Sequence, residues 1–192
     1  MKQMKQLTWN MGKMQDRNMD GHLAVGREFY LQPAYDAAKD ICGKILCVRQ
    51  KDGSVIRRRI TETECYFGEA DSACHAHHGR TKRTEVMYHE GGVAYVYLCY
   101  GIHNMLNIVT GPEGHPQAVL IRAVEGATGP GKLTNLLGID LSFNGISFLD
   151  SNLIWLENDS FESELSCSPR VGIPYATEED RKRLWRFVVK SN

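Results

Sequence analysis

Seven runs of β-forming residues, most of them followed by a turn or a glycine, constrain the fold of this chain more than any other feature. The runs are residues 44–50, 54–67, 93–99, 105–110, 117–125, 153–158 and 185–190. Short helical patterns interrupt them after Pro33, after the Gly-Pro-Gly of 129–131, and at about Glu178, where "TEED" has the spacing of a capping box. Strands joined by tight turns and broken by short helices are typical of an α+β fold. We therefore predict one mixed domain with a mainly antiparallel sheet.

The chain is long enough for one such domain and has no membrane signal. Its 192 residues are 42% hydrophobic and 24% charged, values of an ordinary soluble globular protein. No long apolar run is present, and the polar, Met-rich start lacks the apolar block of a signal peptide. We therefore expect a cytoplasmic protein with reduced cysteines, a flexible tail over residues 1–25 and a domain over residues 26–192.

The second run carries a dense polar pattern, "ITETECY". Because side chains alternate between the faces of a strand, Ile60, Glu62, Glu64 and Tyr66 are expected on one face. Two carboxylates beside a tyrosine suit either a solvent-facing surface or the wall of a pocket. The strand taken alone favours the surface.

A group of cysteines and histidines after this strand raises the question of a zinc site. It comprises Cys65, Cys74, His75, His77 and His78. Structural zinc sites pair ligands two to four residues apart in two separate knuckles. This stretch has no Cys-x-x-Cys and no second knuckle, so we predict that the protein holds no metal.

The stretch "GATGPGK", residues 126–132, matches the Gly-x-x-x-x-Gly-Lys frame of a nucleotide-binding P-loop. However, Leu133 stands where a hydroxyl should meet magnesium, and Pro130 removes one of the backbone N–H donors. The pattern therefore gives little support to nucleotide hydrolysis. Gly131 and Lys132, at a predicted helix start, remain candidate contacts to a DNA phosphate.

Aromatic and polar residues in the later strands predict a pocket. Tyr97 lies on a strand face and Tyr100 in the following turn, where an exposed ring needs something to stack on or insert into. Asn107 and Arg122 lie within apolar runs, where an amide and a guanidinium need partners. Together they suggest a pocket of aromatic rings with one amide, one arginine and one glutamate.

Several motifs occur in an order that resembles the alkyladenine (3-methyladenine) DNA glycosylases of the mammalian alkyladenine glycosylase type. They are "ITETECYFGEADSACHAHHGRTKR", "YVYLCYGIHNMLNIVT", "AVLIRAVEG", "GPGKL", "PRVGIPYA" and "WRFVV". The resemblance runs from about Glu28 to Val189 and implies a curved, mainly antiparallel sheet with short helices and a protruding hairpin, without metal or cofactor. Two positions depart from the family pattern: Thr84 stands where Asn is usual, and Cys65 where Ala is usual.

The resemblance implies an enzyme that flips damaged purines of the 3-methyladenine type out of double-stranded DNA. It would hydrolyse the N-glycosidic bond with an activated water and leave an abasic site. Glu64 matches the general base, Arg122 the arginine near the water, and Tyr100 the intercalating residue. The residues that match the base-enclosing set are Tyr66, His75, Tyr97 and Asn107. The candidate phosphate contacts are Arg80, Lys82, Arg83, Gly131 and Lys132.

Other functions remain to be weighed against this one. A lesion-binding protein without turnover is disfavoured by the intact Glu64 and Arg122, and a P-loop enzyme by Leu133. A combined glycosylase and lyase would need an amine such as Lys132 to form a Schiff base. We expect a monomer that binds damaged duplex DNA in the cytoplasm, at the nucleoid if the source is bacterial. The sequence leaves open whether only cationic alkylpurines, or also hypoxanthine and ethenoadenine, are excised.

Overall fold

A nine-stranded antiparallel sheet organises residues 24–190, the part of the chain that the computed structural model describes. The main strand order is β3-β4-β5-β2-β1-β7; β6 pairs with β5, and β9 pairs with both β2 and β8. The strands are β1 Ile45–Arg49, β2 Val55–Tyr66, β3 Ala94–Cys99, β4 His103–Val109, β5 Ala118–Val124, β6 Ala127–Thr128, β7 Ile154–Glu157, β8 Leu165–Ser168 and β9 Arg186–Val189. The predicted α+β class with a mainly antiparallel sheet is confirmed.

Short helices connect and cover these strands. The α-helices are α1 Arg27–Tyr30, α2 Ala34–Ile41, α3 Pro130–Leu137 and α4 Glu178–Lys182. The 3₁₀ helices are Gly68–Ala70, His75–His78, Glu85–Tyr88 and Leu141–Phe143. The "TEED" signal is borne out, since the Thr177 hydroxyl accepts the N–H of Asp180 at the start of α4. Of the described helices, none is long and apolar enough to cross a bilayer.

Most of the predicted flexible tail, residues 1–23, lies outside the described residues. Its last two residues are described and lie against β7. Ala24 forms a bridge with Glu157, and the N–H of Val25 donates to the carbonyl of Leu156 at 3.1 Å. The domain therefore makes strand-like contacts from residue 24 onward.

Helix α2 packs against the sheet behind β2. Its small face, Ala34, Ala37 and Ala38 with Ile41, is completely buried, so the helix can approach the strands closely. The Thr63 hydroxyl donates to the carbonyl of Ala38 at 2.7 Å and ties the strand to the helix. This contact fixes which face of β2 looks into the core and leaves the other face free for polar groups.

An irregularity in the pairing of β2 with β5 sets the direction of the polar side chains. The register shifts on both sides of Glu62, so Thr61 and Arg122 have no directly opposed residue across this pair. Such β-bulges re-aim side chains. The prediction that Ile60 shares the face of the glutamates is wrong, because Ile60 is completely buried in the same apolar core as Cys65.

Candidate active site

A cleft with aromatic walls opens between the end of β2, the 3₁₀ segment that follows it and the hairpin of β3 and β4. Its empty volume, including the open space at its mouth, is about 310 Å³. Its ring-bearing lining residues are Tyr66, His75, Tyr95, Tyr97 and Tyr175. Asn107 also lines it. The four residues predicted to enclose a base therefore lie around one cleft. Tyr95 and Tyr175 also line it, and the sequence analysis assigned no role to either.

The rings of the cleft pack against one another. The ring of His75 lies 4.5 Å from that of Tyr97, centroid to centroid, at an interplanar angle of 73°. The rings of Tyr95 and Tyr97 lie 5.4 Å apart at 35°. Alternation along β3 puts both tyrosines on one face, and the 3₁₀ helix His75–His78 brings the imidazole to them. Such a wall suits the stacking of a flat, electron-poor ring.

His75 is neutral, and its proton lies on Nδ1. Burial, and next the charge of Arg83, lower the pKa of His75 to about 4. Arg83 lies 3.3 Å from Nε2 and can only donate, so this nitrogen must accept. The N–H at Nδ1 therefore donates to the hydroxyl of Tyr95, 3.0 Å away. The ring presents a fixed tautomer to the cleft.

Glu64 is completely buried and held by three donors. One oxygen accepts the backbone N–H of Val171 at 2.8 Å, and the other accepts the hydroxyl of Tyr66 at 3.0 Å and Arg122 at 3.4 Å. Burial raises the pKa of the Glu64 carboxyl, while the nearby Arg122 opposes the shift. A carboxylate with a raised pKa is a better proton acceptor than an ordinary surface glutamate.

The position of Arg122 depends on Glu62. The Nε of Arg122 donates to a Glu62 oxygen at 2.9 Å, and the Nε of Arg186 donates to the same oxygen at 2.5 Å. Glu62 is therefore the anchor of two arginines, one of which contacts Glu64. Arg186 has no assigned role in the sequence analysis, because only the pairing of β9 with β2 brings it here.

A second residue that the sequence analysis did not single out, Arg170, packs against the Tyr66 wall of the cleft. It is buried, its guanidinium makes a paired contact with Asp71 at 2.5 and 2.8 Å, and it lies 4.9 Å from the Tyr66 ring. The next residue is Val171, whose N–H holds Glu64. The motif "PRVGIPYA" contained this anchor, but local sequence gives no sign of where its arginine points.

The hairpin tip is exposed and apolar. Cys99 pairs with His103, so the turn is residues 100–102, shorter than the predicted 100–104. The side chain of Tyr100 is 90% exposed and that of Ile102 72% exposed. Tyr100 has a φ of 52°, and no other non-glycine residue of the described chain has a positive φ. The backbone thus holds a large ring outward, three residues after Tyr97 of the cleft wall.

The basic residues of the loop that follows His75 differ in their surroundings. Arg80 pairs with Glu85 at 2.5 and 2.8 Å, and Lys82 is exposed. Arg83 is exposed overall, but its guanidinium contacts His75 and lies over the ring of Tyr97 at 5.2 Å. Of the three candidate phosphate contacts in this loop, Arg83 is the one that touches the cleft wall.

The remaining candidate phosphate contacts lie at the start of α3. Lys132 is exposed, whereas Gly131 is partly buried, and a Cβ built on it would lie 2.9 Å from a ring atom of His103. A side chain at this position would displace the exposed ring of His103, so glycine favours close packing against β4. Residues 127–128 of the "GATGPGK" stretch pair with β5 as a short strand, which is unlike the open loop of a phosphate cradle.

The residues weighed as zinc ligands do not converge. Cys65 and Cys74 are buried, and Nδ1 of His77 lies 2.8 Å from the carbonyl of Glu69. Across residues 24–190, no group of three or more His, Cys, Asp or Glu side chains is placed to hold a metal ion. The prediction of a metal-free protein stays a prediction that a chelator experiment can test.

Comparisons with known proteins identify what the chain is similar to. The family model described as Methylpurine-DNA glycosylase (MPG) matches residues 28–128 and 125–192. A relative from Borreliella afzelii (strain PKo), named "Putative 3-methyladenine DNA glycosylase", is 45% identical over 181 residues, covering 88% of this chain and 97% of the relative. Relatives with the same name from Psychrobacter cryohalolentis and Methanocella arvoryzae are 45% and 41% identical, covering 85% and 86% of this chain and 91% and 92% of their own.

Proposed function

The chain belongs to the methylpurine-DNA glycosylase family and is a DNA-repair glycosylase. We propose that it flips damaged purines into the aromatic cleft and hydrolyses their N-glycosidic bond with water. A base inside a duplex cannot be reached, so it must leave the stack at a cost of a few kcal/mol. The product would be a free purine and an abasic site. The observation that carries this proposal is the buried Glu64, joined by one hydrogen bond to Tyr66 of the cleft wall.

Glu64 is the group we propose as general base. Cleavage of the glycosidic bond builds positive charge on the sugar, and a carboxylate both accepts the water proton and stabilises that charge. Glu64 is completely buried, so a water must take the place of one of its donors. The 3.4 Å contact to Arg122 is the longest of the three, so it is the weakest and the easiest to displace. Arg122 would then hold the water between itself and Glu64.

We propose that the base stacks between Tyr66 on one side and His75 with Tyr97 on the other. Base–aromatic stacking contributes about 1–3 kcal/mol per base, comparable to the cost of flipping. Asn107 would disfavour the exocyclic amine of guanine. Its amide nitrogen donates to the carbonyl of Tyr95 at 3.1 Å, with a second contact to a backbone carbonyl at 3.4 Å, so the side chain is held rigidly at the cleft.

Tyr100 is the residue we propose to fill the space that the flipped base leaves. Side chains that enter a base step from the minor groove are commonly large and apolar, as the exposed hairpin tip is. Arg80, Lys82, Gly131 and Lys132 would contact phosphates of the DNA backbone. Lys132 does not line the cleft, which favours attack by water over attack by an amine.

We propose that the enzyme acts as a monomer. We place the enzyme in the cytoplasm, on the nucleoid if the cell is bacterial, because its substrate would be chromosomal DNA.

The test is release of free bases from matched duplexes that carry 3-methyladenine, 7-methylguanine, hypoxanthine or ethenoadenine at one position. The proposal predicts that at least one purine is released intact, leaving a strand that breaks only after alkali, and that borohydride traps no enzyme–DNA adduct. Release of no purine from any duplex would refute the glycosylase proposal. A trapped adduct would show that the nucleophile is an amine of the enzyme and not water.

A further inference from the structure

Arg83 is an exposed cation in direct contact with two residues of the cleft wall. Its guanidinium lies 3.3 Å from Nε2 of His75 and 5.2 Å from the ring centre of Tyr97. The other arginines around the cleft are neutralised by carboxylates: Arg122 by Glu62, and Arg170 by Asp71. Within residues 24–190, no carboxylate forms an ion pair with Arg83.

We propose that Arg83 is a specificity-determining residue that biases the cleft towards neutral damaged purines and against cationic ones. The proposal deepens the function proposed above and rests on it, since it takes the cleft as the seat of the flipped base. Stacking on tyrosine rings favours a cationic purine such as 7-methylguanine. A fixed positive charge next to the same rings opposes that preference. Hypoxanthine carries no charge and would gain or lose little from Arg83.

The size of the effect follows from the distances. A base stacked on Tyr97 adds roughly 3.5–4 Å to the 5.2 Å between that ring and Arg83, so the two charges would be about 8–9 Å apart. Coulomb's law at this separation gives roughly a twofold effect on an equilibrium constant in bulk water and roughly thirtyfold at the dielectric of a protein surface. Because Arg83 is exposed, we expect a change of about threefold to tenfold.

The experiment compares dissociation constants for two duplexes of one sequence, with 7-methylguanine or hypoxanthine opposite cytosine. Both lesions carry a 2′-fluoro sugar, which opposes positive charge on the sugar and so keeps the bases attached. The proteins are the full wild-type chain, Arg83→Gln, Arg83→Lys and Lys82→Gln. Glutamine keeps a donor for Nε2 of His75 and removes the charge, whereas lysine keeps the charge. Lys82→Gln removes one charge from the adjacent exposed position.

We expect Arg83→Gln to lower the ratio of the 7-methylguanine to the hypoxanthine dissociation constant by about threefold to tenfold. Arg83→Lys and Lys82→Gln should leave the ratio within about twofold of wild type. Equal weakening of both lesions and of undamaged duplex by Arg83→Gln would show a phosphate contact only and overturn the proposal. An equal change of the ratio by Lys82→Gln would also overturn the proposal, because any positive charge near the cleft would then have the same effect as Arg83. Failure of the function itself would appear separately, as wild-type protein that releases no base from unfluorinated duplexes.

Discussion

Tyr100 allows the flipping proposal to be tested without disturbing the fold. Its side chain is 90% exposed, and its backbone has the left-handed φ of 52°. That conformation costs a non-glycine residue roughly 1–2 kcal/mol, whereas glycine adopts it freely. Glycine also loses more chain entropy on folding, by roughly 0.5–1 kcal/mol. Tyr100→Gly should therefore change the free energy of unfolding by no more than about 1 kcal/mol.

The same substitution should markedly weaken binding to damaged DNA. Loss of a stacked ring removes about 1–3 kcal/mol, which raises the dissociation constant about fivefold to 150-fold. The loss should be smaller when the lesion already lies in an unpaired bulge, because less unstacking remains to be compensated. Fluorescence anisotropy with paired and bulged duplexes measures both values, and urea unfolding measures stability.

A matched variant separates the ring from the backbone. Tyr100→Ala removes the ring and keeps the strained φ, so it should bind DNA as weakly as Tyr100→Gly and be the less stable of the two. Equal losses of affinity on paired and bulged duplexes would refute the reasoning. Tyr100 would then be an ordinary surface contact.

Two further predictions concern the charges of the site, and a third concerns metal. Because burial raises the pKa of Glu64, its contribution to stability is full below the ordinary glutamate pKa and is lost as the pH rises through the raised value. The unfolding free energy of wild type minus that of Glu64→Gln should therefore fall between pH 4 and pH 7 in urea titrations, and a rising difference would contradict it. Arg186→Gln removes one of the two arginines that Glu62 holds, so Arg122 should shift and single-turnover base release should slow by about tenfold or less. An unchanged rate would show that Arg186 does not position Arg122. Dialysis against EDTA should leave the rate of base release unchanged, and loss of activity restored by one equivalent of zinc would overturn the metal-free prediction.

Much of the fold could be predicted from local patterns, because turns and alternation are short-range properties. The long strand β2, the helix after Pro33 and the capping box at Thr177 all lie where the sequence places them. The orientation of Ile60 could not be predicted, because the bulge arises from the pairing of β2 with β5 and leaves no mark in either strand. The short strand β8 also escaped notice, since "LSCS" has little β-forming character.

The parts of the candidate site that lie within one strand or one hairpin could be predicted from the sequence. Alternation joins Glu64 to Tyr66, and the hairpin puts Tyr100 at an exposed tip. The supporting groups are distant in sequence: Arg186 reaches Glu62 across 124 residues, and Arg170 reaches Asp71 across 99. No spacing rule connects such pairs, so only the folded chain reveals that they hold the site together.

The assignment of Glu64 as the base is tested most directly by separating binding from chemistry. Glu64→Gln keeps the size of the side chain but cannot accept a proton from water. Base release from a damaged duplex under single-turnover conditions should slow by about a hundredfold to ten-thousandfold, while the dissociation constant stays close to that of wild type.

Glu62→Gln serves as the comparison on the same strand. Glu62 anchors Arg122 and Arg186 without contacting the wall tyrosine, so its substitution should slow base release less than that of Glu64. The account predicts tight binding with almost no base release for Glu64→Gln. Release at the wild-type rate by that variant, or abolition of release by Glu62→Gln instead, would contradict it.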